Sequence, residues 1–208
     1  MGDFLFYGII YIMIRNVVFD VGSVLVDELG AKSQKHLTQQ QIDNLQKIIF
    51  SKEFEAVILG DMTTAQYIEG LIKDFPQYEQ EVHAILDFRD PKSISMPKRP
   101  EMVDLLYRIR QNGYKVFFLS DMIDATYNYL RDILEDFDGG VFSYQEHVRK
   151  PNVKIFEILI NRYNLDVAET IFFDDKPSNV DAAKSLGMQA VVFTNINDVL
   201  NALSLNYG

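Results

Sequence analysis

The chain has 208 residues, of which 48% are hydrophobic and 24% charged, so its composition is that of an ordinary globular protein of one domain, or of one domain with a small insertion. Its formal net charge of −10 argues against nucleic acid as a partner, because phosphate backbones bind through clustered lysine and arginine. The sequence contains no cysteine, which excludes disulfides, thiolate catalysis and cysteine-ligated zinc and is compatible with the cytoplasmic location that we predict.

The amino-terminal segment is conspicuously apolar up to residue 14. It lacks the basic leading region and the small-residue cleavage site of a signal peptide. The run from residue 4 to residue 14 is also shorter than the roughly 20 residues that a transmembrane helix needs. We therefore predict no membrane partner, and we interpret residues 1–12 as an N-terminal extension, since Met13 can itself serve as a start.

The first regular elements are a short strand and a helical segment that follows it. The β-branched run Ile14–Phe19 predicts a buried strand that ends at Asp20. Apolar residues then recur at helical spacing across residues 39–88, and Thr63 to Gln66 is the capping-box pattern that begins a helix. Because no strand pattern interrupts this stretch, it predicts a helical insertion.

The remainder of the chain alternates between strand and helix patterns. Residues 90–100 contain three of the six prolines and predict a linker. The elements predicted after it are a helix from Pro100 to about Gly113, Lys115–Leu119 (strand), Ala125–Leu134 (helix), Val141–Tyr144 (strand), Val153–Tyr163 (helix), Ile171–Phe173 (strand), Val180–Leu186 (helix), Ala190–Phe193 (strand) and Asp198–Leu203 (helix).

This alternation predicts an α/β fold with a Rossmann-like, mostly parallel sheet, helices on both faces, and a small all-helical cap inserted after the first strand. We assign residues 13–30 and 97–208 to the catalytic core and residues 31–96 to the cap. Two aromatic residues of the cap, Phe54 and Tyr67, are candidates for lining a substrate pocket.

Polar residues follow the predicted strands at the points where a parallel sheet binds its ligands. Each has an ordinary explanation when taken alone: a turn, a helix cap or a solvated charge. Adjacent carboxylates at a sheet edge repel one another, however, and a cation relieves that repulsion. The residues concerned are Asp20 and Gly22 after the first strand, Ser120 and Asp121 after the second, Lys150 before a helix, and Asp174 and Asp175 after a later strand.

Phosphoryl transfer from a monoester requires this combination of groups. A phosphate dianion repels a carboxylate nucleophile, so a hard cation such as Mg²⁺ must lie between them, and it prefers oxygen ligands. Asp20 and Asp175 can supply carboxylates and Gly22 a backbone carbonyl. Lys150 and Ser120 can stabilise the phosphoryl oxygens. Asp20 is then the nucleophile that forms an aspartyl-phosphate, which water hydrolyses.

The four motifs in this order resemble the haloacid dehalogenase (HAD) superfamily, from about Ile14 to Phe193, and the cap pattern is similar to that of its small sugar-phosphate phosphatases. The resemblance implies a Rossmann-like core, a helical cap and Mg²⁺. It also implies roles at matching positions: Asp20 as nucleophile and metal ligand, Gly22 as carbonyl ligand, Asp175 as direct acidic ligand with Asp174 in support, and Ser120 and Lys150 as phosphate-binding residues. The motifs are Asp20-Val-Gly-Ser-Val, Leu-Ser120-Asp, Lys150-Pro and Phe-Phe-Asp174-Asp175.

Two positions depart from that pattern. Many phosphatases of the superfamily carry a second aspartate two residues after the nucleophile as general acid and base, where this chain has Gly22. Asparagine is usual where this chain has Asp121, and an added carboxylate near a phosphate is unfavourable unless it turns away or is paired.

We predict a phosphohydrolase that acts on a small phosphate ester, with a sugar phosphate as one candidate and with Ser120, Asp121 and Lys150 as the substrate-binding residues. The alternatives are a metal-independent dehalogenase, which would not require the acidic pair, and a non-catalytic binding protein that has lost its proton donor. A response-regulator receiver domain is excluded, because its acidic pair precedes the phosphorylated aspartate. The sequence leaves the oligomeric state open.

Overall fold

The computed structural model describes residues 13–27, 38–86 and 98–205. Its sheet has five strands in the order β3-β2-β1-β4-β5, and each recorded pairing is parallel. The strands are β1 Asn16–Phe19, β2 Lys115–Ser120, β3 Gly139–Phe142, β4 Thr170–Asp174 and β5 Gln189–Val192.

Successive side chains of a strand point to opposite faces of the sheet, and both faces of this sheet are buried. Val17 and Phe19 pack into one apolar cluster and Val18 packs into a second. The ring of Phe19 stacks on that of Phe173 from the neighbouring strand, with centroids 5.3 Å apart. β1 is therefore the central strand of the sheet and is buried on both faces.

Helices cover both faces. Helices α5, α6 and α10 pack in the cluster that contains Phe19, and α8 and α9 pack in the cluster that contains Val18. The predicted α/β fold with helices on both faces is confirmed. The helices of this region are α5 Pro100–Gln111, α6 Asp124–Leu134, a short α7 Ser143–Glu146, α8 Val153–Tyr163, α9 Pro177–Ser185 and α10 Ile196–Ala202.

The insertion after β1 is helical, as its periodicity predicts, and its helices pack around an apolar cluster to which Ile123 of the loop after β2 also contributes. Both longer helices, α1 and α3, begin with a complete capping box, at Thr38 and Thr63 respectively. Each box pairs backbone N–H groups that have no partner within the helix. The helices are α1 Gln39–Ile49, α2 Phe54–Ile58, α3 Thr64–Asp74 and α4 Glu79–Leu86.

The division into core and cap stays a prediction. Both of its boundaries, at residues 30–31 and 96–97, fall in segments outside the described residues, as do the N-terminal extension and most of the predicted linker. Among the described helices, none combines the length and the apolar character that crossing a bilayer requires.

One predicted strand begins and ends two residues earlier in the chain than expected. The apolar pattern suggested a strand over Val141–Tyr144, but β3 ends at Phe142, and Ser143 begins α7. The backbone leaves the strand at Ser143, whose hydroxyl forms hydrogen bonds with two other segments. Its hydroxyl accepts a hydrogen bond from Met122 N (3.0 Å) and donates one to the carbonyl of Ile58 in the cap (2.7 Å).

Further contacts join the helical insertion to the rest of the chain. The side chain of Asp124 accepts hydrogen bonds from the backbone N–H and the hydroxyl of Thr64, at the first turn of α3. Gly60 lies so close to the carbonyl of Tyr144 that a Cβ atom there would overlap it. Together with the Ser143 bond, these contacts hold the insertion over the carboxyl end of the sheet.

Candidate active site

The carboxyl ends of three neighbouring strands carry the predicted polar residues. Asp20 follows β1, Ser120 ends β2 and Asp174 ends β4. Because the strands are parallel and adjacent, these residues meet at one edge of the sheet. All three are buried.

Lys150 reaches the same point from the loop between α7 and α8. Its Nζ atom lies 2.9 Å from Asp20 Oδ1 and 2.6 Å from Asp174 Oδ2, and its side chain is 1% exposed. A buried ammonium group is stable only when opposite charges compensate its lost hydration. The two carboxylates provide that compensation, so Lys150, Asp20 and Asp174 form one charged cluster.

The cluster perturbs the protonation equilibria of its members. Burial raises the pKa of Asp20 to about 6; Lys150 opposes this shift, whereas the charge of Asp174 adds to it. Burial alone would lower the pKa of Lys150, but the charges of Asp20 and Asp174 raise it overall. Lys150 is therefore a permanent cation beside Asp20, since it stays protonated at neutral pH.

Asp174 is surrounded by donors. Besides Lys150, it accepts a hydrogen bond from Lys176 N to Oδ1 (2.8 Å), and the side-chain amide of Asn179 lies 2.9 Å from both of its carboxylate oxygens. Its side chain is fully buried. These contacts stabilise the ionised carboxylate and fix its orientation.

Asp175 is the more accessible member of the acidic pair, being partly exposed. Partial burial raises its pKa, and the charge of Asp174 raises it further. One carboxylate oxygen each from Asp20, Asp174 and Asp175 can be chosen so that all three lie within 4.8 Å of one another. Three converging carboxylates fit a hard divalent cation such as Mg²⁺.

Asp121 is paired, which is the condition under which its charge is tolerable near a phosphate. Its Oδ1 accepts a hydrogen bond from Lys150 N (2.9 Å), and its Oδ2 lies 3.3 Å from Arg149 Nε. The residue lines the cavity beside Asp20, but its carboxylate is engaged by the loop that carries Lys150. The substrate-binding role predicted for Asp121 stays a prediction.

Gly22 lies at the cavity wall, two residues after Asp20. Its backbone is outside the left-handed region, and a Cβ atom there would meet no other part of the protein within 4 Å. Neither backbone strain nor crowding therefore explains the glycine at this position.

A cavity of about 780 Å³ opens above these residues, between the sheet edge and the cap. It is lined by Asp20, Gly22, Ser120, Asp121, Lys150 and Asp175, six of the seven predicted site residues. The seventh, Asp174, lies beneath them in contact with Lys150. Phe54 also lines the cavity, whereas Tyr67 packs behind Phe54 with ring centroids 5.6 Å apart.

The sequence matches the family described as haloacid dehalogenase-like hydrolase over residues 14–187, which is most of the chain. This protein belongs to that family. The resemblance inferred from the four strand-end motifs is therefore confirmed.

Individual proteins are similar to this one over most of the chain. A sesquiterpene phosphatase from Aspergillus oryzae is 28% identical over 184 residues, covering 87% of this chain and 90% of that protein. A glyceraldehyde 3-phosphate phosphatase from Pyrococcus abyssi is 25% identical over 194 residues, covering 87% and 82%. A HAD family enzyme from Bacteroides thetaiotaomicron has the same fold, with a TM-score of 0.72 at 21% identity and coverage of 91% and 98%. A second structure of that enzyme is a complex with magnesium and inorganic phosphate.

Two residues of the site had no role assigned from the sequence of this family member. Asn179 lies in the helix after the acidic pair and donates its side-chain amide to Asp174. The residue is buried, with 3% of its surface exposed. Arg149 precedes Lys150 and pairs with Asp121. Asn179 lies in the first turn of α9, only five residues after Asp174, and this short spacing is the local signal that could have identified it.

Proposed function

We propose that this protein is a magnesium-dependent phosphohydrolase that acts on small phosphate esters through an aspartyl-phosphate intermediate. The observation that carries the proposal is the buried cluster of Asp20, Lys150 and Asp174 with Asp175 beside it, at the bottom of a cavity of substrate size. A cytoplasmic location and the absence of a nucleic acid partner stay predictions.

The residues that would hold the cation are Asp20, Asp175 and the carbonyl of Gly22. Asp174 supports them from below, because its oxygens are already engaged by Lys150, Lys176 and Asn179. The partly exposed Asp175 is better placed to act as a direct ligand. When bound, Mg²⁺ would neutralise the phosphate and so allow an anionic nucleophile to approach it.

Asp20 is the proposed nucleophile. Its carboxylate attacks phosphorus, the bond from phosphorus to the ester oxygen breaks, and the phosphoryl group remains on Asp20 until water hydrolyses it. The hydrogen bond that Val21 N donates to Asp20 Oδ1 (2.7 Å) orients the carboxylate. Such orientation by neighbouring groups lowers the entropic cost of the attack.

Lys150 and Ser120 are the proposed stabilisers of the phosphoryl group. Both are buried and line the cavity next to Asp20. The Lys150 ammonium provides a fixed positive charge, and the Ser120 hydroxyl provides a donor, where negative charge accumulates on the phosphoryl oxygens. Asp121 and Arg149 hold the Lys150 loop in position.

The acidic pair favours phosphate over halide chemistry. A dehalogenase attacks carbon and needs no cation. It therefore does not require three neighbouring carboxylates, those of Asp20, Asp174 and Asp175, whose mutual repulsion a divalent cation would relieve. The phosphatases among the relatives add support to this choice.

The test is hydrolysis of an aryl phosphate such as p-nitrophenyl phosphate, measured with Mg²⁺, with EDTA, and with Asp20→Asn. We expect turnover that requires Mg²⁺ and falls to background in the variant. Turnover that persists in EDTA contradicts the metal-dependent mechanism. Absence of turnover in the wild-type protein would instead support a non-catalytic binding protein.

A further inference from the structure

The cavity above Asp20 has an apolar side that the phosphate chemistry does not use. Besides Val21, which follows the nucleophile, the apolar residues that line it come from the cap (three) and from the loop after β2 (two). They are Phe50, Phe54, Ile58, Met122 and Ile123. Since the cavity also contains the catalytic cluster, a phosphate bound at Asp20 would direct its organic part into the same space as these side chains.

Among these residues, Phe50 is unusual because its large apolar side chain is exposed. It follows the last residue of α1 and is 42% exposed, although a phenyl ring gains free energy when it is removed from water. Single exposed apolar residues are common on protein surfaces. The ring of Phe50, however, meets that of Phe54 edge to face with centroids 5.3 Å apart, and both line the cavity. Together they form an aromatic wall.

Hydrogen bonds hold this aromatic wall in place. The hydroxyl of Tyr67 donates to the carbonyl of Ile49 (2.9 Å) and lies 3.1 Å from the Ser51 hydroxyl, so both sequence neighbours of Phe50 are tied to α3. The Tyr67 ring also supports Phe54 from behind. The wall is thus a preformed surface rather than a loose side chain at a helix end, and preformed surfaces bind with a smaller entropic cost.

The polar residues on the cap side of the cavity are poorly suited to binding the hydroxyl groups of a sugar. They are Asp43, Gln46 and Lys47, which project from α1. Asp43 already accepts a hydrogen bond from Gln39 (2.8 Å), and Gln46 and Lys47 are exposed to solvent. Recognition of several hydroxyl groups requires converging, desolvated polar partners, because each buried hydroxyl without a partner costs free energy.

We propose that the cavity selects phosphate monoesters whose organic part is apolar, with Phe50 and Phe54 as specificity-determining residues. The inference rests on the proposed function, since it places the phosphate at Asp20 and Lys150. A volume of about 780 Å³ is enough for an organic group of drug-like size beside the phosphate. A hexose phosphate, the candidate that the sequence pattern suggested, should be a poorer ligand than an alkyl phosphate of similar size.

Binding of alkylphosphonates tests the proposal without requiring turnover. Calorimetry with ethyl-, butyl-, hexyl- and octylphosphonate in the presence of Mg²⁺ should show affinity that rises by about two- to fourfold per methylene, as burial of each group predicts. Affinity that is independent of chain length would overturn the proposal. So would tighter binding of a hexose 6-phosphate than of hexylphosphonate.

Variants of Phe50 connect the effect to the aromatic wall. Phe50→Ala should weaken octylphosphonate about tenfold while flattening the chain-length dependence, and Phe50→Leu should restore most of it. Tyr107→Ala removes another partly exposed ring that lies outside the cavity, and it should leave the dependence unchanged. An unchanged dependence in Phe50→Ala, with the folded state checked by circular dichroism, would contradict the assignment.

Turnover of the matching alkyl phosphates separates this inference from the proposed function. Their leaving groups have nearly the same pKa, so kcat/KM should rise with chain length through binding alone. Chain-length-dependent binding without hydrolysis of either the alkyl phosphates or p-nitrophenyl phosphate would overturn the proposed function and keep the inference. Hydrolysis with a flat series would overturn the inference and keep the proposed function.

Discussion

Lys150 and Asp174 form a buried ion pair, with Nζ 2.6 Å from Oδ2 and both side chains at most 1% exposed. The pair lies directly beneath Asp20, whose Oδ1 is 2.9 Å from the same ammonium group. A buried pair of this kind contributes little net stability by itself, but loss of either partner leaves an uncompensated charge. The ion pair therefore holds a fixed positive charge at the nucleophile and makes the site sensitive to substitution.

Replacement of Lys150 should affect both catalysis and stability. We expect Lys150→Ala to lower kcat by about a hundredfold or more, since it removes one preorganised stabiliser of the transition state. The free energy of unfolding in the absence of metal should fall by about 3–5 kcal/mol, because two buried carboxylates lose their counter-charge. Steady-state kinetics and urea unfolding measure the two effects. Lys154→Ala, which changes an exposed lysine of the next helix, is the matched control. A rise confined to KM would mean that Lys150 binds ground state and transition state equally.

Asp175 should be essential for the metal. Asp175→Ala is expected to remove most Mg²⁺ affinity and nearly all turnover while leaving the fold intact, because the residue is partly exposed. Calorimetric titration with Mg²⁺ alone provides a readout besides activity. Asp181→Ala, at an exposed position of α9, is the control and should bind the metal normally. Equal Mg²⁺ affinity in the two variants would argue against Asp175 as a ligand.

Because Gly22 has no acidic side chain, we expect kcat/KM to depend strongly on the leaving group. Without a carboxylic acid at this position, log kcat/KM should fall steeply as the pKa of the leaving alcohol rises, across esters of comparable size and affinity. General acid catalysis is worth about 10²–10⁴-fold, so its absence is measurable. A flat dependence would show that another group donates the proton.

The space around Gly22 permits the complementary experiment. Gly22→Asp meets no crowding and needs no left-handed backbone, so it should fold and should raise kcat/KM for alkyl phosphates more than for aryl phosphates. Gly22→Asn has nearly the same shape but carries no acidic proton, and it should give no such gain. Equal effects of the two substitutions would assign the change to shape rather than to proton transfer.

Gly60 should control how the cap meets the core. Gly60→Ala introduces a Cβ that overlaps the Tyr144 carbonyl at a residue with φ of +75°, so the cap must shift. We expect a loss of thermal stability together with at least a tenfold loss in kcat/KM, because small displacements of an active site are costly. Gly113→Ala is the control, since φ there is +88° with open space around the Cβ position. It should lose stability only through backbone strain and keep its activity. If the two variants behave alike, the contact with Tyr144 has no functional importance.

The local pattern of the sequence was sufficient for most of the fold. Strands β1, β2, β4 and β5 and helices α5, α6 and α8 to α10 lie within a few residues of their predicted bounds. Burial on both faces of a parallel sheet leaves near-continuous apolar runs, and amphipathic helices repeat every three to four residues, so both are readable from neighbouring residues alone. The exception is the end of β3, where the hydroxyl of Ser143 bonds backbone groups of Met122 and Ile58 from other parts of the fold.

The sequence by itself also determined which residues stand at the strand ends, because parallel strands bring those positions to one edge. It could not determine how their side chains pair. Side-chain directions across the assembled sheet edge decide three sets of contacts: those of Lys150 with Asp20 and Asp174, of Asp121 with Arg149, and of Asn179 with Asp174. The aromatic wall of Phe50 and Phe54 depends on how the cap helices pack. The contacts of Lys150 and Asp121 join residues far apart in the chain, about which local periodicity carries no information. The contacts of Asn179 and Phe50 are short in sequence, but they depend on side-chain directions that only the tertiary structure decided.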